Sequence, residues 1–202
     1  MRFFLVSLFL AWPTLAGLQS VYDKTFSFEA HFKQTYWNKL FDRTDTSEGT
    51  LSYQKPGKMR WDYQTPHPKS FILNKNTLWM VETEDKIAYI NRCFQSDALT
   101  ASLVFLGGKG RLTDQFKITT GKNKELILTP KVKNPVFEQL ILVTEPKTSR
   151  VTQTTLIDSD GNKNEFKFEK SRFNHKIAAK NFEYKATKDI ELLDMPGSCG
   201  AK

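Results

Sequence analysis

Few residues in this 202-residue chain are spaced for catalysis. His31, His67 and His175 lie far apart, and none has a second ligand at metal spacing. There is no glycine-flanked nucleophilic serine, no phosphate-cradling glycine loop and no zinc pattern. Carboxylates are plentiful, but nothing in their order pairs them as acid and base. Neither enzymatic activity nor a cofactor or metal is expected. Cys93 and Cys199 are the two cysteines; in an oxidising compartment an even count permits one disulfide, which would pin the C-terminal tail. The chemistry that stands out is apolar: 16 Phe, 4 Trp and 6 Tyr, with Met59 and Met80 on successive predicted strands. This composition suits an ordinary β-sandwich core. It equally suits a pocket for a long, featureless apolar ligand, because flat rings and flexible thioethers adapt to one.

The elements that would position these side chains follow from their periodicity. In Gly49–Pro66, Leu51 and Tyr53 alternate with polar neighbours, and Met59, Trp61 and Tyr63 then do the same. Period-two alternation marks a strand with one covered face. Pro56 and Gly57 between the runs predict a type II reversal and hence an antiparallel hairpin. Upstream, Leu18, Val21 and Tyr22 predict a short amphipathic helix over residues 18–25, and Phe26, Phe28, Ala30 and Phe32 open a strand running to about Phe41. Asp42–Ser47 reads as a polar turn. Further strands are expected at Ser70–Leu73 and Thr77–Val81, about an αL-tolerant asparagine turn at Asn74-Lys75-Asn76, and at Lys86–Cys93.

Ser96 is a good N-cap for a helix over residues 97–106, which Gly107-Gly108 ends. Leu99, Leu103 and Leu106 form one stripe on it, and the rest is apolar enough to call for burial, as in a plug or lid. Strands resume at Phe116–Thr120, Glu125–Pro130, Phe137–Glu145, Val151–Asp158 and Asn164–Lys170. A helical turn at Ala178–Asn181 and a last strand at Phe182–Lys185 complete the reading. Mainly β with a few helices, about ten antiparallel strands with one inserted helix, the chain should roll into a barrel or half-barrel.

Residues 1–16 read as a secretory leader: Arg2, then the apolar run Phe3–Trp12, then Thr14-Leu15-Ala16, with cleavage after Ala16. The run is broken by Pro13 and falls short of the roughly 20 apolar residues that span a bilayer. Gly17 and Leu18, rather than cysteine, follow the small-residue site, so no lipid anchor is expected there. Residues 17–202 then form a single exported domain. The formal charge of +8 would favour acidic partners, but the lysines are dispersed and read as a solvated surface. Export argues against nucleic acid.

Several stretches resemble, in order, the LolA family of periplasmic outer-membrane lipoprotein carriers. They begin with Ser27-Phe28-Glu29-Ala30-His31-Phe32-Lys33-Gln34 and the Gly49-x-Leu51 strand, then Lys55-Pro56-Gly57-Lys58-Met59-Arg60-Trp61 and Leu78-Trp79. Phe105-Leu106-Gly107-Gly108, Leu128-Thr129-Pro130-Lys131 and the turn at Asp160-Gly161 follow. The resemblance implies an unclosed antiparallel β-barrel capped by short lid helices over an apolar cavity. It implies a carrier that takes acylated lipoproteins from an ATP-driven release complex of the inner membrane and hands them to an outer-membrane acceptor, itself a monomer that hydrolyses nothing. Phe28, Phe32, Leu51, Tyr53, Met59, Trp61, Leu78 and Met80 would line the cavity, with Leu99, Leu103 and Leu106 on its lid. The family carries arginine before that proline, where it helps hold the lid shut. Here Lys55 stands in its place and is the expected gate, with Arg60 as the alternative. A periplasmic acyl-binding sensor or adaptor on the same half-barrel is the second reading, and a secreted hydrolase the third.

Overall fold

The computed structural model describes residues 15–94, 111–133, 137–195 and Cys199. Twelve strands form one sheet in the order β12-β6-β5-β4-β3-β2-β1-β11-β10-β9-β8-β7. The chain starts in the middle. After helix α1 (Leu15–Lys24), strand β1 (Ser27–Asn38) is followed outward by β2 (Arg43–Gln54), β3 (Lys58–Thr65), β4 (Lys69–Asn74), β5 (Thr77–Glu82) and β6 (Ile87–Asn91). It then crosses to the opposite edge. A single-turn helix α2 (Leu112–Gln115) leads into β7 (Phe116–Thr120), and β8 (Leu126–Pro130), β9 (Gln139–Thr144), β10 (Val151–Ile157) and β11 (Lys163–Phe173) return inward until β11 pairs with β1. The last strand, β12 (Glu191–Asp194), pairs parallel to β6. With β7 at one edge and β12 at the other, the barrel is unclosed.

Alternation decides which face is inside. Phe28 is opposite Tyr53, Ala30 opposite Leu51 and Phe32 opposite Gly49; on the other flank Phe32 meets Phe168. All of these apolar side chains are buried in one cluster, and α1 adds Leu18 and Tyr22 to it. Burying a side chain of this size is worth about 1.5–3 kcal/mol, so one face of the sheet holds most of the folding energy.

A second apolar layer lies on the outer face. Ile72, Val81, Ala88 and Ile90 are buried but stand outside the inner cluster. The chain after β11 crosses this side as a strap. Its 3₁₀ turn, Ala179–Phe182, packs on β3 and β4, with Ile177 and Phe182 buried and Lys58 over the Phe182 ring. The strap is fixed where it begins: Ser27 Oγ donates to the His175 carbonyl at 2.6 Å and accepts from its N–H at 2.9 Å. His175 and Arg172 both reach the Glu29 carboxylate. Burial raises the Glu29 pKa, but the contacts from His175, Arg172 and Ser52 outweigh it and hold the carboxyl below its ordinary value. The strap is also fixed where it ends. Arg92 pairs with Asp194, Met195 N donates to the Ile90 carbonyl, and the sulfurs of Cys93 and Cys199 lie at bonding distance with Cα atoms 5.5 Å apart.

The fold departs from the sequence reading in several places, among them the parallel strand β12, which was not expected. Asp42–Ser47 is not a turn: the turn is shorter, with Asp42 at φ 46°, and Arg43 already pairs with Asn38. Backbone pairing sustains this ribbon without apolar side chains, so polarity there signalled exposure rather than a loop. The reversal before β3 is not type II, because Lys55–Pro56 is cis. In the β4–β5 turn it is Lys75, not an asparagine, that takes positive φ. Phe182–Lys185 is not a strand; Phe182 alternates with its neighbours because it closes the 3₁₀ turn against the outer layer.

Gly49 is required by the packing. A Cβ there would run into the Asp62 carbonyl and come within 2.8 Å of Phe32 Cζ. We expect Gly49→Ala to lower the unfolding free energy by about 1–3 kcal/mol, the usual range for overpacking. Urea melts of the two proteins test this; an unchanged midpoint would mean that both the β3 backbone at Asp62 and the Phe32 ring have room to move.

Candidate functional site

The inner face of β1, β3, β4 and β11 carries a linked cluster of aromatic rings, which β9 and β10 extend with aliphatic side chains. The Phe32 ring sits at its centre, with centroids 5.5 Å from Trp61, 5.1 Å from Tyr63 and 5.8 Å from Phe166, each edge-on. Trp61 leans on Phe166 from the opposite wall at 4.9 Å, and Phe28 meets Phe168 at 5.6 Å. Edge-on ring pairs contribute about 0.5–1.5 kcal/mol beyond their burial. Such contacts hold the interior together, yet each is weak enough to be exchanged for an apolar ligand. Burial pushes the Tyr53 phenol up to about 12, with the neighbouring Tyr22 adding to the shift, and it also raises Tyr63 well above the ordinary range. Both stay neutral, so the surface carries no phenolate charge.

Of the cavity residues expected from the sequence, Phe28, Phe32, Leu51, Tyr53, Met59, Trp61 and Leu78 are buried on this face. Met80 pairs with Phe71 in the same register and is half-buried. Leu99, Leu103 and Leu106 lie outside the described residues. The sequence reading put Tyr63 on this face but left it, with Phe71, Phe166 and Phe168, out of the expected lining. Phe166 and Phe168 carried the same alternation in the run 164–170, but nothing local could show that β11 folds back against β1.

The two candidate gate cations separate onto opposite faces. Lys55 Nζ donates to the Tyr22 carbonyl in the last turn of α1 at 2.8 Å and lies 5.8 Å from the Tyr22 ring centre; its own N–H donates to the Phe26 carbonyl. A cation on the last carbonyls of a helix is favoured by the helix dipole. Burial lowers the Lys55 pKa, while the nearby Asp23 pushes it back up. Arg60 instead faces outward. Its Nε donates to both Asp62 oxygens at 3.0 and 2.7 Å, and its Nη1 approaches the Asn181 carbonyl of the strap at 3.4 Å. Lys55 therefore fastens a helix over the inner cluster, and Arg60 fastens the strap outside.

A recess of about 400 Å³ is bordered by Glu29, His31, Lys170 and Arg172 together with Ala30, Thr50, Leu51 and Ser52, and an apolar ligand there would desolvate the charged groups at a cost. Among the described residues, no group of three or more His, Cys, Asp or Glu side chains is placed to hold a metal. No helix among them is long and apolar enough to cross a membrane.

Comparison with known proteins adds a family. Residues 23–185 match the model of the outer membrane lipoprotein carrier protein LolA. The chain is 24% identical over 179 residues to the outer-membrane lipoprotein carrier protein of Pseudomonas paraeruginosa, covering 87% of this chain and 85% of that one. To the Chromobacterium violaceum protein of the same description it is 25% identical over 184 residues, with 89% and 86% covered. A crystal structure of an uncharacterised conserved protein from Thermus thermophilus shares the fold at a TM-score of 0.54 and 10% identity, covering 90% of this chain and 96% of that one.

The Lys55 contact has a measurable consequence. Amide exchange in α1 should quicken about tenfold to a hundredfold in Lys55→Leu, the range for losing a charged hydrogen bond, while Arg60→Leu leaves α1 as it was. The reverse pattern would move the helix clasp to Arg60.

Proposed function

Since the chain belongs to the LolA family of outer membrane lipoprotein carriers, we propose that it carries lipoproteins by sheltering their acyl chains against its inner aromatic face. The observation that carries this reading is the aromatic cluster gathered on one face of an unclosed sheet, with α1 packed onto it through Leu18 and Tyr22 and clasped by Lys55. Each CH₂ removed from water gains about 0.8 kcal/mol, so several acyl chains left exposed would cost on the order of tens of kcal/mol. The interior is filled by its own rings in the absence of cargo. Loading exchanges ring–ring contacts for ring–chain contacts, and the net hold is smaller than the gross burial. That difference is what a carrier needs in order to let go.

In this reading the leader is removed after Ala16 and the protein works in the periplasm. It receives cargo from an ATP-driven release complex in the inner membrane and delivers it to an acceptor at the outer membrane. Lys55 acts as the gate by holding or releasing α1, and hydrolysis plays no part in the carrier itself. The inner set of Phe28, Phe32, Leu51, Tyr53, Met59, Trp61, Leu78 and Met80 makes the acyl contacts.

Two measurements bear on it. A fluorescent fatty-acyl probe should bind the mature protein and be displaced by a triacylated lipoprotein, and the protein should release such a lipoprotein from inner-membrane vesicles. Absence of probe binding defeats the proposal; binding without release favours a sensor or adaptor. We also propose that Cys93 and Cys199 are bonded in the exported protein. Their separation of 106 residues makes the link worth on the order of 4 kcal/mol in the chain-entropy picture. Alkylation of folded protein under non-reducing conditions should modify neither cysteine, and two reactive thiols would rule the bond out.

A further inference from the structure

Deep in the aromatic interior, two polar atoms have no partner. The indole Nε1 of Trp61 and the hydroxyl Oγ1 of Thr154 are both inaccessible to solvent and make no hydrogen bond. Trp61 is 3% exposed and Thr154 0%. Both point inward by register. Trp61 faces Leu51 and Phe71 across its ladders, and Thr154 faces Phe166 and Leu142. They share a neighbour: the Trp61 ring leans on Phe166 with centroids 4.9 Å apart, and Phe166 is the cross-strand partner of Thr154. A third unpaired hydroxyl, Thr144 Oγ1, lies further along the same wall on β9.

Unpaired buried polar atoms are few in native proteins, because each forfeits its bonds to water and gains nothing in return. A purely greasy pocket could have valine in place of Thr154 at no loss of volume, and an aromatic ring without a polar atom in place of Trp61. An indole N–H is a donor only, and a hydroxyl can donate. What both lack is an acceptor that arrives with an otherwise apolar molecule.

Resting on the carrier reading above, we infer that Trp61 and Thr154 are a recognition site for the ester carbonyls of acylated cargo. The chains of a lipoprotein anchor are joined through ester and amide carbonyls, which accept hydrogen bonds and cannot donate them. The aromatic wall takes the hydrocarbon, and the two donors take the oxygens where the chains meet the glycerol. The site therefore distinguishes acyl chains from alkyl chains of equal length, and it sets the depth to which the anchor enters.

The test uses two probes: a dipalmitoyl thioglyceryl-cysteine lipopeptide, and its analogue with ether-linked chains of the same length. The mature wild-type protein should favour the ester form by about tenfold, the scale of one or two net hydrogen bonds. Trp61→Phe and Thr154→Val should each shrink the ester-to-ether ratio, whatever they do to affinity as a whole, and the double variant should bring it to one. Without ligand, Thr154→Val should melt at or above the wild-type temperature, since it removes a hydroxyl that has no partner. A wild-type ratio of one, or a ratio that neither variant changes, overturns the inference and leaves the carrier reading intact. If neither lipopeptide binds, the carrier reading falls and takes this inference with it.

Discussion

The rest of the molecule depends on one close approach, the Phe32 ring lying over Gly49. Phe32 touches Trp61, Tyr63 and Phe166 at once, and it can do so only because its cross-strand neighbour has no side chain. The missing Cβ lets a ring on the central strand spread sideways over β2 and reach β3. On the other flank the same ring meets β11. Strands that leave the centre in opposite directions along the chain are thereby tied at a single point, and the sheet curls around that point. An aromatic ring packed over a cross-strand glycine also limits what glycine costs in a strand, where it would otherwise be loose.

Most of this architecture was legible in the sequence because period-two alternation is a direct imprint of a half-buried sheet. Phe28 and Phe32, Leu51 and Tyr53, and Met59 and Trp61 announce their shared face without reference to anything distant. The same rule fixes the face of Arg60: if Met59 and Trp61 point inward, Arg60 points outward. What could not be read is what each cation meets. The partner of Lys55 is the backbone carbonyl of Tyr22, and a carbonyl has no letter in the sequence. The β2 start was hidden for a related reason, since a ladder can run through polar residues when neither face is buried. β12 was hidden because four residues are too few for a period, and its parallel partner β6 lies a hundred residues away.

The interior presents a balance rather than an empty vessel. Among the described residues its rings are buried against one another, so this face has a core of its own. That self-packing competes with any ligand. The polar atoms left unpaired at Trp61 and Thr154 act in the opposite direction, since each forfeits its hydrogen bonds to water without a replacement.

The strap has a mechanical consequence. Where it crosses β3 and β4 the wall is two layers thick, with apolar packing on both faces of the sheet. On the other side of β1 no such outer layer is described, and β9 shows Val143 to solvent. The bending stiffness of a plate climbs steeply with its thickness, so a molecule swollen by a guest does not deform evenly. The double wall behaves as a frame and keeps the turn that bears Lys55 in place, while the thin wall of β8–β10 behaves as a diaphragm. Volume taken up inside would appear as a bulge on that side alone, with the frame, and the tail bound to it, standing still.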